Sequence, residues 1–385
     1  MRIVHIDTER GWRGGERQVL WLAEELGRQG HDSIIVARPG QALALKAMQA
    51  GLDVVYCAPR FEADPFAVLR LRQLVSRARI AIVHAHTAHA AGLGALATVG
   101  SKIPLVIARR VDFHLRRNPG TRWKYGRAAA IIAISRAVAR ILESDGIPLS
   151  RITIVPDGTD VNRQIAPAAR ETLQSLGVTP HAPLVVQIAQ LVPHKDPLNF
   201  VRAVAAARSR VPTLQALLVG DGPLHGDVVE AVRALGLGET LHLAGYRQDA
   251  DALLAAADVA VLSSREEGMG SVLLDALVLG KPIAATRAGG IPEVVDHDKT
   301  GMLAAVGEPV QLGDAIAMLL TDRTLAMRLA AAAKAHAPDF SLERLAARTL
   351  AVYDRVLDGD TVGEDAASRD VTASHSSSRS SMRAP

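Results

Sequence analysis

Arg265-Glu266-Glu267-Gly268-Met269-Gly270-Ser271-Val272-Leu273-Leu274-Asp275-Ala276-Leu277, followed by Gly280-Lys281-Pro282, is the stretch on which the fold turns. The short apolar run Val259-Ala260-Val261-Leu262 before it has the length and composition of a buried strand, and Ser271 to Leu279 reads as an apolar helix. Strand, glycine-rich turn and helix in that order bring free backbone N–H groups and the positive end of a helix dipole to one point, where glycines admit close approach. Such a point suits a phosphate. Glu267 stands just before the turn and Asp275 about one helical turn inside it, so two carboxylates flank the anion position. Carboxylates accept hydrogen bonds from hydroxyls, and a phosphate position between two of them outlines a nucleotide-sugar pocket.

The spacing Glu267-Gly-Met-Gly-x4-Asp275, with Gly280-x-Pro282 after it, resembles the Glu-x7-Glu signature of the family 4 glycosyltransferases. The resemblance implies an α/β chain of GT-B architecture: two Rossmann-like domains facing a cleft, with a C-terminal helix crossing back to the first domain. It also implies that Glu267 holds donor-sugar hydroxyls, that the amides of Gly268, Met269, Gly270, Ser271 and Val272 hold the distal phosphate, and that the second acid holds ribose. Asp275 is one methylene shorter than the family's glutamate there.

Working outward, Leu184 to Ala189 reads as a buried strand, and the segment after it is Gln190-Leu191-Val192-Pro193-His194-Lys195. The family's version carries an arginine and a lysine that neutralise the pyrophosphate. Lys195 matches the lysine, but Gln190 replaces the arginine, which predicts weaker donor binding or compensation by another base. Gly220-Asp221-Gly222-Pro223 resembles the family's Gly-x-Gly-Pro turn, and Tyr246-Arg247 ends a strand that in the family lies under the nucleobase.

The first half opens as strand, glycine pair, helix and strand, with Gly14-Gly15 at the helix start, as a doubly wound half begins. A tight turn explains the glycines alone; the resemblance places them on the acceptor side. His84-Ala85-His86 follows a strand at 80–84, where open α/β sheets place ligands. His86 is the cleft candidate, and metal binding by these histidines needs further ligands that the sequence does not name. Arg110 and Asp112 end the next strand and join His86 on the acceptor side. Arg116, Arg117, Arg122, Lys124 and Arg127 follow, interleaved with Phe113, Trp123 and Tyr125. This pattern suits an anionic acceptor or a bilayer surface, and no nucleic-acid motif accompanies it.

With 385 residues, 49% of them hydrophobic, the chain is long enough for two domains with ample cores. The expected division is residues 1–165 for an acceptor domain, 166–340 for a nucleotide-sugar domain, 341–358 for the crossover helix and 359–385 for a disordered Ser/Thr-rich tail. The single cysteine, Cys57, excludes an internal disulfide and fits a reducing, cytoplasmic setting. The first residues read directly as a strand without a signal peptide's layout. Residues 80–101 lack Asp, Glu, Lys and Arg, yet three histidines and three glycines mark a buried strand and helix rather than a membrane span. Net charge is +4, too mild to define a partner by itself.

The resemblance implies a retaining, hexosyltransferase-type enzyme that moves sugar from a nucleotide-diphosphate donor, and the basic, aromatic pattern suits a glycan or lipid-linked acceptor. Cell-envelope polysaccharide or lipopolysaccharide assembly at the inner face of the cytoplasmic membrane is the expected setting. Glu267 and Lys195 are the expected catalytic pair. No cofactor and no metal are expected, because no Asp-x-Asp motif stands at a strand end. A GT-B nucleotide-sugar 2-epimerase and a catalytically silent nucleotide-sugar-binding homologue stay open as alternatives.

Overall fold

The computed structural model describes residues 1–359. The expectation of a disordered tail beyond that point lies outside the described residues.

The first layer set runs β1 (Arg2–Ile6), α1 (Gly14–Arg28), β2 (Asp32–Ala37), α2 (Ala42–Gln49), β3 (Asp53–Tyr56), α3 (Pro65–Arg77), β4 (Ile82–Ala85), α4 (Ala88–Ala97), β5 (Leu105–Arg109), α5 (Pro119–Gly126), β6 (Ala130–Ala133), α6 (Arg136–Ser144) and β7 (Ile152–Ile154). Its seven strands are all parallel in the order β3-β2-β1-β4-β5-β6-β7. After α7 (Arg170–Ser175) comes a second alternation: β8 (Leu184–Ile188), α8 (Pro197–Arg208), β9 (Gln215–Val219), α9 (His225–Ala234), β10 (Leu241–Gly245), α10 (Ala250–Ala256), β11 (Val259–Leu262), α11 (Ser271–Val278), β12 (Ile283–Thr286) and β13 (Met302–Ala304). These six strands are parallel in the order β10-β9-β8-β11-β12-β13. Helices α12 (Pro309–Thr321), α13 (Arg323–His336) and α14 (Leu342–Asp358) complete the described chain.

Strands covered on both faces must be apolar on both, and β6, β8, β9, β11 and β12 are almost continuously buried runs of Ala, Val, Ile and Leu. Side chains supply several helix starts. Ser135 Oγ accepts from Val138 N at 3.1 Å ahead of α6, and Ser341 Oγ accepts from Arg344 N at 3.3 Å ahead of α14. Helix α14 then leaves the second sheet and buries Leu342, Leu345, Ala346, Val352 and Tyr353 against Ile3, Leu22, Leu26 and Val106 of the first. The amphipathic pattern of α14, apolar at 342, 345, 346, 352 and 353, is what makes that docking favourable.

In the second half Ile291–Glu293 is a 3-10 turn, the sheet edge beyond β12 is β13, and the link between the two sheets contains the short helix α7. One expectation is corrected. Lys124 and Tyr125 do not belong to the basic surface. Helix α5 turns both inward, where Lys124 Nζ bonds Glu62 and the carbonyl of Ala88 and Tyr125 joins the core, leaving Arg116, Arg117, Arg122, Trp123 and Arg127 exposed.

Candidate active site

In each sheet the strand order reverses once, between β1 and β4 and between β8 and β11. Crevices at such switch points, outside the carboxyl ends of the strands, are where open α/β sheets bind ligands. In the second sheet Gln190 to Lys195 follows β8 and Glu267 follows β11, so residues 72 positions apart meet at one switch point. Lys195 Nζ bonds Glu267 Oε2, and Ser264 Oγ donates to the same oxygen at 3.2 Å. Lys195 closes a 3-10 turn, and Asp196 after it adopts φ 43° and caps α8. The loop behind β11 is fixed to that turn by Arg265 N and Glu266 N, which donate to His194 O at 2.8 and 3.2 Å.

Helix α11 starts beside this pair. Among the described residues no side chain caps it, and Gly270 takes φ 83°, a conformation that suits glycine. Met269 packs into the core, so only its backbone remains for a ligand. Backbones crowd here. A β-carbon on Gly268 would lie 2.3 Å from Arg110 O, and one on Gly14 would lie 2.6 Å from Ser271 Oγ, so the first domain closes directly over the start of α11.

Asp275 is engaged within the protein. The resemblance gives it to ribose, but Arg17 Nη2 donates to one oxygen at 2.7 Å and Arg163 Nη2 to the other at 3.1 Å, with the side chain 3% exposed. Arg163 also meets Asp251 at 2.9 Å, and the Arg17 guanidinium lies 4.6 Å from the Trp21 ring centroid. Asp275 is therefore the centre of an interdomain ion cluster. Burial pushes its carboxyl above the usual range, and the two guanidiniums oppose that. Gly220 and Gly222 have a packing reason: β-carbons there would lie 2.0 Å from Ala189 O and 2.6 Å from Leu191 O. Asp221 accepts from Gly222 N at 2.7 Å, Arg247 is engaged by Asp249 through Nε at 2.8 Å and Nη2 at 2.7 Å, and Tyr246 is exposed.

On the first-domain side, Arg110 is held between Asp157 (Nε to Oδ1, 3.0 Å) and His86 (Nη1 to Nδ1, 3.1 Å). A guanidinium only donates, so His86 Nδ1 accepts and its proton lies on Nε2, 3.0 Å from His5 Nδ1; the His5 proton then lies on Nε2, 3.3 Å from Ser33 Oγ. Burial is the largest cause holding these imidazoles neutral, followed by the Arg110 charge for His5, which is lowered to about 3, and by His84 and then Arg110 for His86. Sequence reasoning missed His5; its register partner across β1 and β4 is His84, a juxtaposition that only strand order reveals. Ring nitrogens of His5, His84 and His86 lie within 4.8 Å of one another. Both ring nitrogens of His86 are already taken, by His5 and by the Arg110 cation, so the residues fit a neutral hydrogen-bonded network better than a metal dication. His84 Nδ1 meets the Tyr353 hydroxyl at 2.6 Å, tying α14 to the network. Asp112 lies near Glu267, its carboxyl raised first by burial and further by the charges of Glu267 and Glu266. Gly15 is unobstructed. Asp7, beyond β1, is buried, and its carboxyl is pushed up to about 7, chiefly by desolvation.

Two parallel sheets, each with a polar crevice at its switch point and pressed together there, define a two-domain GT-B fold. A family model described as glycosyltransferase family 4 matches residues 12–163, and one described as glycosyl transferases group 1 matches residues 169–336. The chain is similar to a 2-deoxystreptamine glucosyltransferase of Streptomyces kanamyceticus, 30% identical over 61% of this chain and 63% of that protein. It is also similar to an N-acetyl-alpha-D-glucosaminyl L-malate synthase of Bacillus anthracis, 31% identical over 49% of each. The chain thus spans about half to under two thirds of these curated relatives' length. Anabaena Alr3699/HepE, solved in complex with UDP and glucose, superposes with a TM-score of 0.80 at 22% identity, covering 92% of this chain and 99% of that one. The protein belongs to the family 4 glycosyltransferases.

Proposed function

We propose that the protein is a retaining glycosyltransferase that takes its sugar from a nucleoside-diphosphate donor. The direct bond between Lys195 and Glu267 beside the uncapped start of α11 carries the reading. A diphosphate competes for Lys195, and its release from Glu267 frees that carboxylate to accept from sugar hydroxyls. As the bond between sugar C1 and the distal phosphate oxygen breaks, its electron pair passes to the phosphate. Lys195 and the amides from Gly268 to Val272 stabilise that charge. The acceptor hydroxyl bonds C1 on the face the phosphate leaves and yields its proton to a phosphate oxygen. Lysine and backbone dipoles supply the positive charge, so no divalent cation takes part.

Gly14, Gly15, Arg110 and Asp112 border the acceptor, with the buried His86 holding Arg110 from behind. Exposed Arg116, Arg117, Arg122 and Arg127 around Trp123 support an anionic or lipid-linked glycan acceptor presented at a membrane surface, as in envelope polysaccharide assembly. Among the described residues no helix is long and apolar enough to cross a membrane, so that contact is peripheral in this proposal. A thermal-shift screen of UDP-, GDP-, ADP- and CMP-sugars identifies the donor. With that donor, Glu267→Ala is expected to abolish transfer while nucleotide binding survives, and chelator is expected to leave wild-type turnover intact. Normal turnover in Glu267→Ala removes the glutamate from the site.

A further inference from the structure

We propose that Arg13 is the second cation of the donor diphosphate site, delivered from the first domain to replace the charge that Gln190 lacks. This rests on the glycosyltransferase reading and names a residue of the same site.

One lysine matches a diphosphate poorly, because two phosphates carry more than one negative charge. At the end of β8, where the family resemblance implies arginine, this chain has a neutral amide. With its amide oxygen turned to face the guanidinium, Gln190 Oε1 accepts from Arg13 Nε at 3.2 Å and Nη2 at 3.3 Å. That orientation is required, since a guanidinium has no acceptor to offer an NH2 group. Arg13 thus reaches the position from which an arginine side chain at 190 would project.

Its placement is built rather than incidental. Arg13 is the residue before α1, its N–H donates to Glu16 Oε2 at 2.9 Å, and its carbonyl accepts from Arg17 N at 3.1 Å. Gly14, the next residue, lies against Ser271 at the start of α11. The guanidinium therefore stands between the Gln190 turn and the helix that offers the amides. Its commitments set it apart from its neighbours. Arg17, Arg110, Arg163, Arg247 and Arg265 are each matched by a carboxylate. Among the described residues no carboxylate lies within 4.0 Å of Arg13, whose side-chain hydrogen bonds go to a neutral oxygen. A phosphate oxygen is a stronger acceptor than that amide, and a planar guanidinium can engage it with two N–H groups. Because Arg13 and Gln190 lie on different domains, holding the diphosphate this way also draws the domains together, whereas a monophosphate lacks the distal group they share.

The test is calorimetric titration of UDP, GDP and ADP, and of the corresponding monophosphates, into wild type, Arg13→Ala, Arg13→Lys, Lys195→Ala and the double variant Arg13→Ala/Gln190→Arg. For the diphosphate that binds wild type best, Arg13→Ala is expected to weaken affinity about tenfold or more, as loss of a charge-assisted contact does, while its monophosphate changes less than about threefold. Arg13→Lys is expected to retain part of the affinity, and the double variant to recover most of it, since the new arginine stands where the family has one. Diphosphate affinity within about twofold of wild type in Arg13→Ala, alongside a clear loss in Lys195→Ala, overturns the role of Arg13 and leaves the site standing. Failure of Gln190→Arg to recover binding also overturns it. Unchanged affinity in both Arg13→Ala and Lys195→Ala refutes the donor site itself.

Discussion

Replacing Asp275 by alanine separates a structural role of its carboxylate in the ligand-free protein from a ribose contact. In the structure both its oxygens are engaged, by Arg17 at 2.7 Å and Arg163 at 3.1 Å, at 3% exposure. Breaking a fully buried ion pair from one side costs about 3–5 kcal/mol. Here the arginine side chains are 16% and 23% exposed, and Asp251 remains 3.9 Å from Arg17 and 2.9 Å from Arg163. Solvent and the second acid therefore lower the expected loss to about 2 kcal/mol. At about 2–4 °C per kcal/mol for domains of this size, melting without ligand should fall by about 4–8 °C. The assay is differential scanning calorimetry of wild type, Asp275→Ala, Arg17→Ala and the double variant. A coupling energy near 1 kcal/mol or above is expected from the cycle. If Asp275 instead serves ribose as the resemblance implies, ligand-free melting stays at the wild-type value and only nucleoside affinity falls. That pattern refutes the ion-cluster reasoning.

Two further expectations follow from the site. The Asp7 carboxyl is raised from 3.8 to about 7, so between those values the folded chain holds a proton that the unfolded chain has lost. Its contribution is present below pH 3.8 and is lost as pH rises to 7, by roughly 4 kcal/mol at most. Asp7→Asn should therefore be more stable than wild type in urea unfolding at pH 8 and equal to it near pH 4; a difference independent of pH contradicts the assignment. Glu293 accepts from Arg136 N at 2.9 Å and Ala137 N at 3.1 Å, so the second domain caps α6 of the first. Glu293→Ala should cost about 1 kcal/mol in thermal unfolding, as lost caps do, and unchanged melting counts against that contact.

The alternating architecture was legible because it is written locally. Continuous apolar runs such as 184–188 and 259–262, separated by amphipathic segments, carry their own period, and the glycine turn before Ser271 marks the start of α11. What escaped was pairing at a distance. His5 meets His86 across 81 positions and Arg17 meets Asp275 across 258, and no local pattern encodes such neighbours. The hydrogen bonds of Arg13 to Gln190 escaped for the same reason. Lys124 and Tyr125 misled because alternation of basic and aromatic residues looks alike on a sheet of surface and on a helix with one face inward. Only the hydrogen bonds of Lys124 to Glu62 and Ala88 show which it is.

The backbone crosses between the two sheets twice, once after β7 and once before α14, and the crossings lie side by side. Thr159 N donates to Phe340 O at 2.7 Å, and Thr159 pairs with Ser341 as an isolated parallel bridge. Two adjoining tethers act as the spine of a book: they hold the halves together along one edge, so any opening of the cleft must hinge there. The contacts of Arg13 and Glu293 with the opposite half lie away from that edge, so opening there would have to part them.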